Sequence, residues 1–232
     1  MLPHLLKPLL KRLSDKVEKN RELAILILKE FFSKVEDLTL AFPYLFPVLL
    51  ERLNAVNIEG TDGLPEQMMP PTAQKAQTMT EIIEPSEEVR LQIAELMSII
   101  VSSTIPECFR AYLDDVSNIL RALCMDPAGE VIYEGCHALQ QFCENCNDLL
   151  LHFCTNLGRS TFTALTHKHA KVRIAGLKAL YHAIHCGAYK YAHEVFELLV
   201  GFRDPNLVPI KDFFEPTVKI NYFALLVVDR SV

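Results

Sequence analysis

Apolar and small residues recur along this chain every three to four positions, the spacing that places side chains on one face of an α-helix. Three stretches share one register: "VRLQIAELM" from Val89, "VIYEGCHAL" from Val131 and "VRIAGLKAL" from Val172. With each valine numbered zero, offsets 4, 5, 7, 8, 11 and 12 are apolar or small throughout, running from Ile93 to Val101, from Gly135 to Cys143 and from Gly176 to Ile184. Offsets 6 and 13 are polar: Glu95, His137 and Lys178, then Ser102, Glu144 and His185. The starts lie 42 and 41 residues apart. That period is the one of paired-helix HEAT solenoids, in which each unit buries its stripe against its neighbours.

A fourth copy starts at Asn20 and puts Ala24, Ile25, Ile27, Leu28, Phe31 and Phe32 on the core offsets. It precedes Val89 by 69 residues, one period and 27 more, and the stretch from Asn54 to Pro85, rich in Pro, Gly, Thr and Gln, reads as a long loop. First helices repeat as well. "KPLLKRL" at Lys7 matches "FPVLLERL" at Phe46, with Pro8 and Pro47 in equivalent places where an internal proline kinks a helix; two more run from about Phe109 to Leu123 and Leu149 to Leu165. The expectation is an all-α, HEAT-type α-solenoid of about five antiparallel helix pairs in a curved superhelix. It forms a single array over residues 1–232, with units at about 1–36, 38–104 (a loop at 55–84), 107–146, 148–187 and an incomplete 190–232. Leu23 and Leu26 stand on outward offsets of the first unit, and the last unit stops at Asp229 to Val232, so a fragment or truncated product is expected.

Composition narrows the function classes. Eight glycines and no tryptophan in a chain that is 50% hydrophobic favour helices over a tightly turned sheet. A net charge of −6 leaves no cationic excess to neutralise phosphates, so no nucleic-acid partner is expected. The longest apolar run, Leu38 to Leu50, is broken by Pro43 and Pro47 and is too short to cross a bilayer, so no membrane partner is expected either. Met1 to Leu13 carries Lys7, Lys11 and Arg12 at helical spacing and reads as an amphipathic helix. Seven cysteines in no regular frame read as free thiols in a reducing, cytoplasmic setting.

No reaction centre emerges. Cys143, Cys146, His152 and Cys154 have zinc-knuckle spacing, but Cys136 and Cys143 occupy core offsets, where cysteine acts as a small buried hydrophobe. His193-Glu194 opens a zincin-like pattern whose second histidine would stand where Glu197 is. There is no phosphate-cradling glycine loop and no nucleophile with a base beside it, so no catalytic, metal-ligating or cofactor-binding residue is assigned. His167 and His169 flank a turn and read as solvated. Arg21, Arg90 and Arg173 share offset 1, a series broken by Ile132, and are expected to form a structural ladder with turn aspartates of adjacent units. The outward residues Glu95, Gln141, Lys178, His182 and His185 are the candidate partner-binding positions, and they equally fit plain solvated ones.

The segment "VGFRDPNLVPIKDFFEPTVKINYFALLVVD" from Val200 to Asp229, together with "EVRLQIAELM" and the insertion ahead of it, resembles the HEAT-repeat dynein axonemal assembly factors, factor five of that group. The resemblance implies a non-catalytic cytoplasmic scaffold that helps chaperones assemble axonemal dynein arms for motile cilia. Dynein chains and co-chaperones would be its partners. A HEAT adaptor of the nuclear-transport or phosphatase-scaffold type is the competing reading within the same fold.

Overall fold

The computed structural model describes residues 2–35, 37–55 and 84–186. Every regular element among them is helical: α1 Leu2–Arg12, α2 Glu18–Phe32, α3 Phe42–Arg52, α4 Glu87–Ser103, α5 Leu113–Cys124, α6 Gly129–Asn145, α7 Cys154–Ser160, α8 Phe162–Leu165 and α9 Ala170–Cys186. The second helices α2, α4, α6 and α9 pack side by side in one layer, and the first helices α1, α3, α5 and α7 in the other. The fold is an all-α stack of helix pairs, as the period implies. The expected fifth unit and most of the loop expected at 55–84 lie outside the described residues.

Local chemistry starts and stops these helices. The Ser86 hydroxyl accepts the Val89 N–H at 3.3 Å and Glu87 and Glu88 follow in the first turn, so α4 has both a cap and the acidic residues its positive end favours. After α3 the chain leaves through Asn54 at φ 52°, a left-handed conformation that asparagine tolerates better than most residues. The fourth first-helix, expected as one piece over 149–165, is broken into α7 and α8. Ser160 and Thr161 send their hydroxyls back to the Leu157 and Gly158 carbonyls at 2.7 and 2.8 Å, which competes with the helical ladder at the break.

The core offsets of α4 and α6 are all buried, and one continuous core runs from Leu6 to Cys186. Deviations are confined to α2 and α9. Ile27 is exposed and Phe31 half-buried on α2, while Leu177 and Ile184 on α9 are half-buried against Phe162, Leu165 and Leu180. Burial at these offsets depends on a neighbouring unit as well as on the helix's own pattern, so periodicity alone overstates it on α2 and α9. At offset 4, Gly135 lets α6 approach α5 closely: a Cβ there would sit 2.9 Å from the Leu123 backbone carbonyl carbon. Gly135→Ala is expected to lower stability by about 1–3 kcal/mol in urea unfolding, although alanine is the better helix former by about 1 kcal/mol.

A charged ladder joins the units. Arg21 donates from Nε and Nη2 to the two Glu84 carboxylate oxygens, both at 2.8 Å, and from Nη1 to the carbonyls of Asp15 and Lys16 in its own turn. Arg90 repeats this arrangement, with Asp126 at 2.7 and 3.2 Å and its own turn's Glu84 and Pro85 carbonyls. Each arginine thus caps its own turn and grips the acid of the next. The expected ladder is present at these two rungs, and Glu84, which the sequence places at the edge of a loop, is a fully buried member. Its signal was available: Asp15, Glu84 and Asp126 all lie six residues before offset 1.

The turns are built alike. Asp15, Glu84 and Asp126 each accept the N–H two residues on, at 2.9, 3.1 and 2.8 Å. His167 does the same through Nδ1, accepting from His169 N–H at 3.2 Å, and is therefore the fourth turn's stand-in for the acid rather than a merely solvated residue. Arg173 again bonds the two carbonyls of its own turn. Ile132, which interrupts the arginine series, coincides with this change of acid to histidine in the next turn, and the His167 ring lies against Gly129 at the start of α6. Cation and anion are replaced together.

Burial pushes the Glu84 carboxyl up, but hydrogen bonds from Arg21, Arg52 and the Ser86 N–H outweigh it, so the group stays below the ordinary glutamate value. A depressed folded-state value stabilises the protein above the unfolded value of about 4.3 and stops doing so as pH falls through the folded one. Thermal stability is therefore expected to hold near neutrality and fall below about pH 4, with a shallower acid limb in Glu84→Gln.

Candidate protein-binding site

The polar offsets of α4, α6 and α9 come together on the outward side of the second-helix layer, and all five candidate positions lie on these three helices. Most are engaged with the next helix. Glu95 is ion-paired with Lys29 of α2. Gln141 accepts from the Ser102 hydroxyl of α4 at 3.1 Å, and Asn145 on the same helix donates to the Val101 carbonyl at 2.9 Å. His182 Nε2 lies 3.1 Å from a Glu144 carboxylate oxygen of α6. His185 Nδ1 is 3.1 Å from the Asn147 amide nitrogen, which donates to it. All but the last of these contacts stitch consecutive second helices together, and the last ties α9 to the turn after α6, so the residues read from sequence as a binding row also serve as braces.

Between α6 and α9 the surface opens into a shallow cavity of about 190 Å³ lined by Tyr133, His137, Gln140, Lys171, Ile174 and Lys178. Lys178 is exposed at its rim. Lys171 donates to Glu130 at 2.5 Å and sits 5.5 Å above the centre of the Tyr133 ring. Tyr181, 61% exposed, stands edge-on to His182 with ring centres 5.0 Å apart. Burial pushes the nearby Glu134 carboxyl above its ordinary value. Sequence reasoning passed over Tyr133, Lys171 and Tyr181, yet offsets −1, 2, 6, 9, 10 and 13 fall on one helical stripe with the candidates. An exposed tyrosine among mixed charges offers apolar contact area and hydrogen bonds, the combination that protein interfaces favour over small-molecule sites.

The cysteines serve the core. Cys143, Cys146 and Cys154 are buried, His152 is exposed, and no group of three His, Cys, Asp or Glu side chains among the described residues is placed to hold a metal ion. Burial pushes the Cys146 thiol up to about 12, which removes the thiolate that nucleophilic chemistry needs at neutral pH. No helix among the described residues is long and apolar enough to cross a membrane. The His193-Glu194 pair lies outside the described residues.

A family model described as "Dynein axonemal assembly factor 5-like, TPR repeats" matches residues 1–70 and 61–201. The chain is similar to Dynein axonemal assembly factor 5 of Xenopus laevis, 28% identical over 226 residues that make up 97% of this chain and 24% of that protein. It is 29% identical to the Mus musculus protein of that name over 175 residues, 75% of this chain and 18% of the relative. The Homo sapiens protein is 28% identical over 191 residues, 82% and 20% of the two. The chain therefore spans about a quarter or less of the length of these relatives. TPR and HEAT arrays are both stacked helix pairs, and the 41- and 42-residue intervals seen here exceed the TPR period of about 34.

Proposed function

Because the chain belongs to the dynein axonemal assembly factor 5-like family, we propose that it is a non-catalytic scaffold in the cytoplasmic preassembly of axonemal dynein arms for motile cilia. It holds dynein chains and their co-chaperones on the outward face of α2, α4, α6 and α9. The observation that carries this reading is the agreement of a family match running from residue 1 to residue 201 with a two-layer stack in which α4, α6 and α9 carry polar residues at the same outward offsets. Glu95, Gln141, Lys178, His182 and His185 are the proposed contacts, joined by Tyr181, which the fold leaves half-uncovered on the same stripe. Solenoids present such surfaces to partner proteins, and the buried thiols and braced carboxylates leave little for chemistry to use.

Affinity purification of the chain from the cytosol of cells building motile cilia is expected to recover axonemal dynein heavy or intermediate chains. A Lys178→Glu, Tyr181→Ala double variant is expected to reduce that recovery several-fold while its thermal unfolding stays within the range of exposed substitutions, about ±0.5 kcal/mol each. Recovery of a phosphatase catalytic subunit or of nuclear-transport factors in place of dynein chains would replace this reading with the adaptor one.

A further inference from the structure

The outward stripe changes charge along the stack. Offset −1 of the second helices is Glu88, Glu130 and Lys171 in α4, α6 and α9, and offset 6 is Glu95, His137 and Lys178. Both positions therefore run from acid to base in the same direction. The cavity of about 190 Å³ between α6 and α9 lies at the basic end, where His137, Lys171 and Lys178 line it beside Tyr133 and Ile174, with no carboxylate in the lining. The same positions one unit earlier include Glu95 of α4 and Glu130 and Glu134 of α6, and no lysine.

The two lysines are not equivalent. Lys171 donates to Glu130 at 2.5 Å and lies 5.5 Å from the Tyr133 ring centre, with 53% of its side chain exposed. Lys178 is exposed and has no ion-pair partner among the described residues, so its charge is available to a group from outside. Seven residues separate the two, which puts them on one side of α9 about 10 Å apart along its axis. A polyproline-II segment has three residues per turn and rises about 3.1 Å per residue, so two carboxylates three residues apart on it match that spacing. A nucleic acid would carry its phosphates on to Glu130, Glu134 and Glu95, and like charges set opposite one another cost affinity. A segment that is acidic over this junction alone avoids them.

We propose that the cavity between α6 and α9 receives an acidic linear segment of a protein partner, with one carboxylate on Lys178, another on Lys171, and an apolar residue between them against Tyr133 and Ile174. The inference rests on the outward face being the binding surface proposed above, and not on which protein supplies the segment.

The test measures fluorescence anisotropy with the full chain. Its probe is a short fluorescein-labelled peptide carrying Glu-Leu-Ala-Glu, and its control is the same peptide with glutamine in place of each glutamate. The acidic peptide is expected to bind about tenfold or more tightly than the neutral one, a preference that fades at about 1 M salt, where screening acts within about 3 Å. Lys178→Glu is expected to weaken the acidic peptide about tenfold and Lys171→Glu several-fold, with circular dichroism unchanged. Lys34→Glu, the same change of charge at an exposed position of the first unit, is expected to leave its affinity as it was. Equal binding of the two peptides, no binding of either, or equal weakening by Lys34→Glu and Lys178→Glu overturns the proposal. Tighter binding of a labelled single-stranded oligonucleotide overturns it in favour of nucleic acid. Dynein chains recovered from ciliated-cell cytosol by a chain that does not hold the acidic peptide would sink this inference and leave the scaffold reading standing. The peptide held without recovery of dynein chains would do the reverse.

Discussion

Arg90→Ala is expected to destabilise the chain by about 3–5 kcal/mol, measured by urea or thermal unfolding, because it leaves a buried carboxylate with its cation removed. The Arg90 and Asp126 side chains are 6% and 5% exposed, and the arginine holds both carboxylate oxygens while capping two carbonyls of its own turn. Replacing both partners is a different matter. The chain already contains the exchanged version at its next rung, where Ile132 stands for the arginine and His167 for the acid, with the turn's N–H still satisfied by the imidazole. Arg90→Ile combined with Asp126→His is therefore expected to recover more than half of the single-variant loss, since well-packed neutral groups avoid the desolvation that charges suffer. A double variant no more stable than Arg90→Ala would show that the carbonyl caps, and not the ion pair, carry the rung.

Phe109→Ala is expected to cost a similar amount, about 3–5 kcal/mol, and to act at a different place. Phe109 is fully buried at the end of the turn Pro106–Phe109 that leads into the third unit. Its ring stacks on Phe42 of α3 with centres 5.6 Å apart and meets Phe142 of α6 edge-on at 5.7 Å, while Phe42 is capped edge-on by Tyr112. With Phe46, which meets both Phe42 and Tyr112, five large rings from two units share one cluster, and a methyl group cannot refill the space that one of them vacates. In a stack whose units contact only their neighbours, weakening one junction separates the halves. The variant is expected to show a broadened or two-step denaturation with a lower slope, against a single step expected for the unaltered chain. A single sharp transition at reduced midpoint would mean that the second and third units stay coupled without this ring.

Much of this was legible before any coordinates. The apolar offsets of α4 and α6 are all buried, the two prolines stand inside α1 and α3, and Arg21 and Arg90 reach acids in adjacent turns. The candidate surface was readable in the same way, since residues three and four apart on a helix must share a side. Less visible was what those residues touch. Glu95, Gln141 and His182 brace neighbouring helices, and the exposed Tyr181 lay at an offset that no polarity signal marked.

Periodicity, register and the number of residues per unit are local properties, set by the helical repeat and by which side chains recur along it, so one strand of text suffices to recover them. Pairing between units is not local. Arg21 meets a carboxylate 63 residues away and Arg90 one 36 residues away, and only the stacking of turn upon turn brings those groups together. The same dependence explains why Ile27 and Leu96, equivalent in pattern, differ in exposure. A side chain's tendency to be buried belongs to its helix face, whereas its actual burial belongs to the neighbour that covers that face.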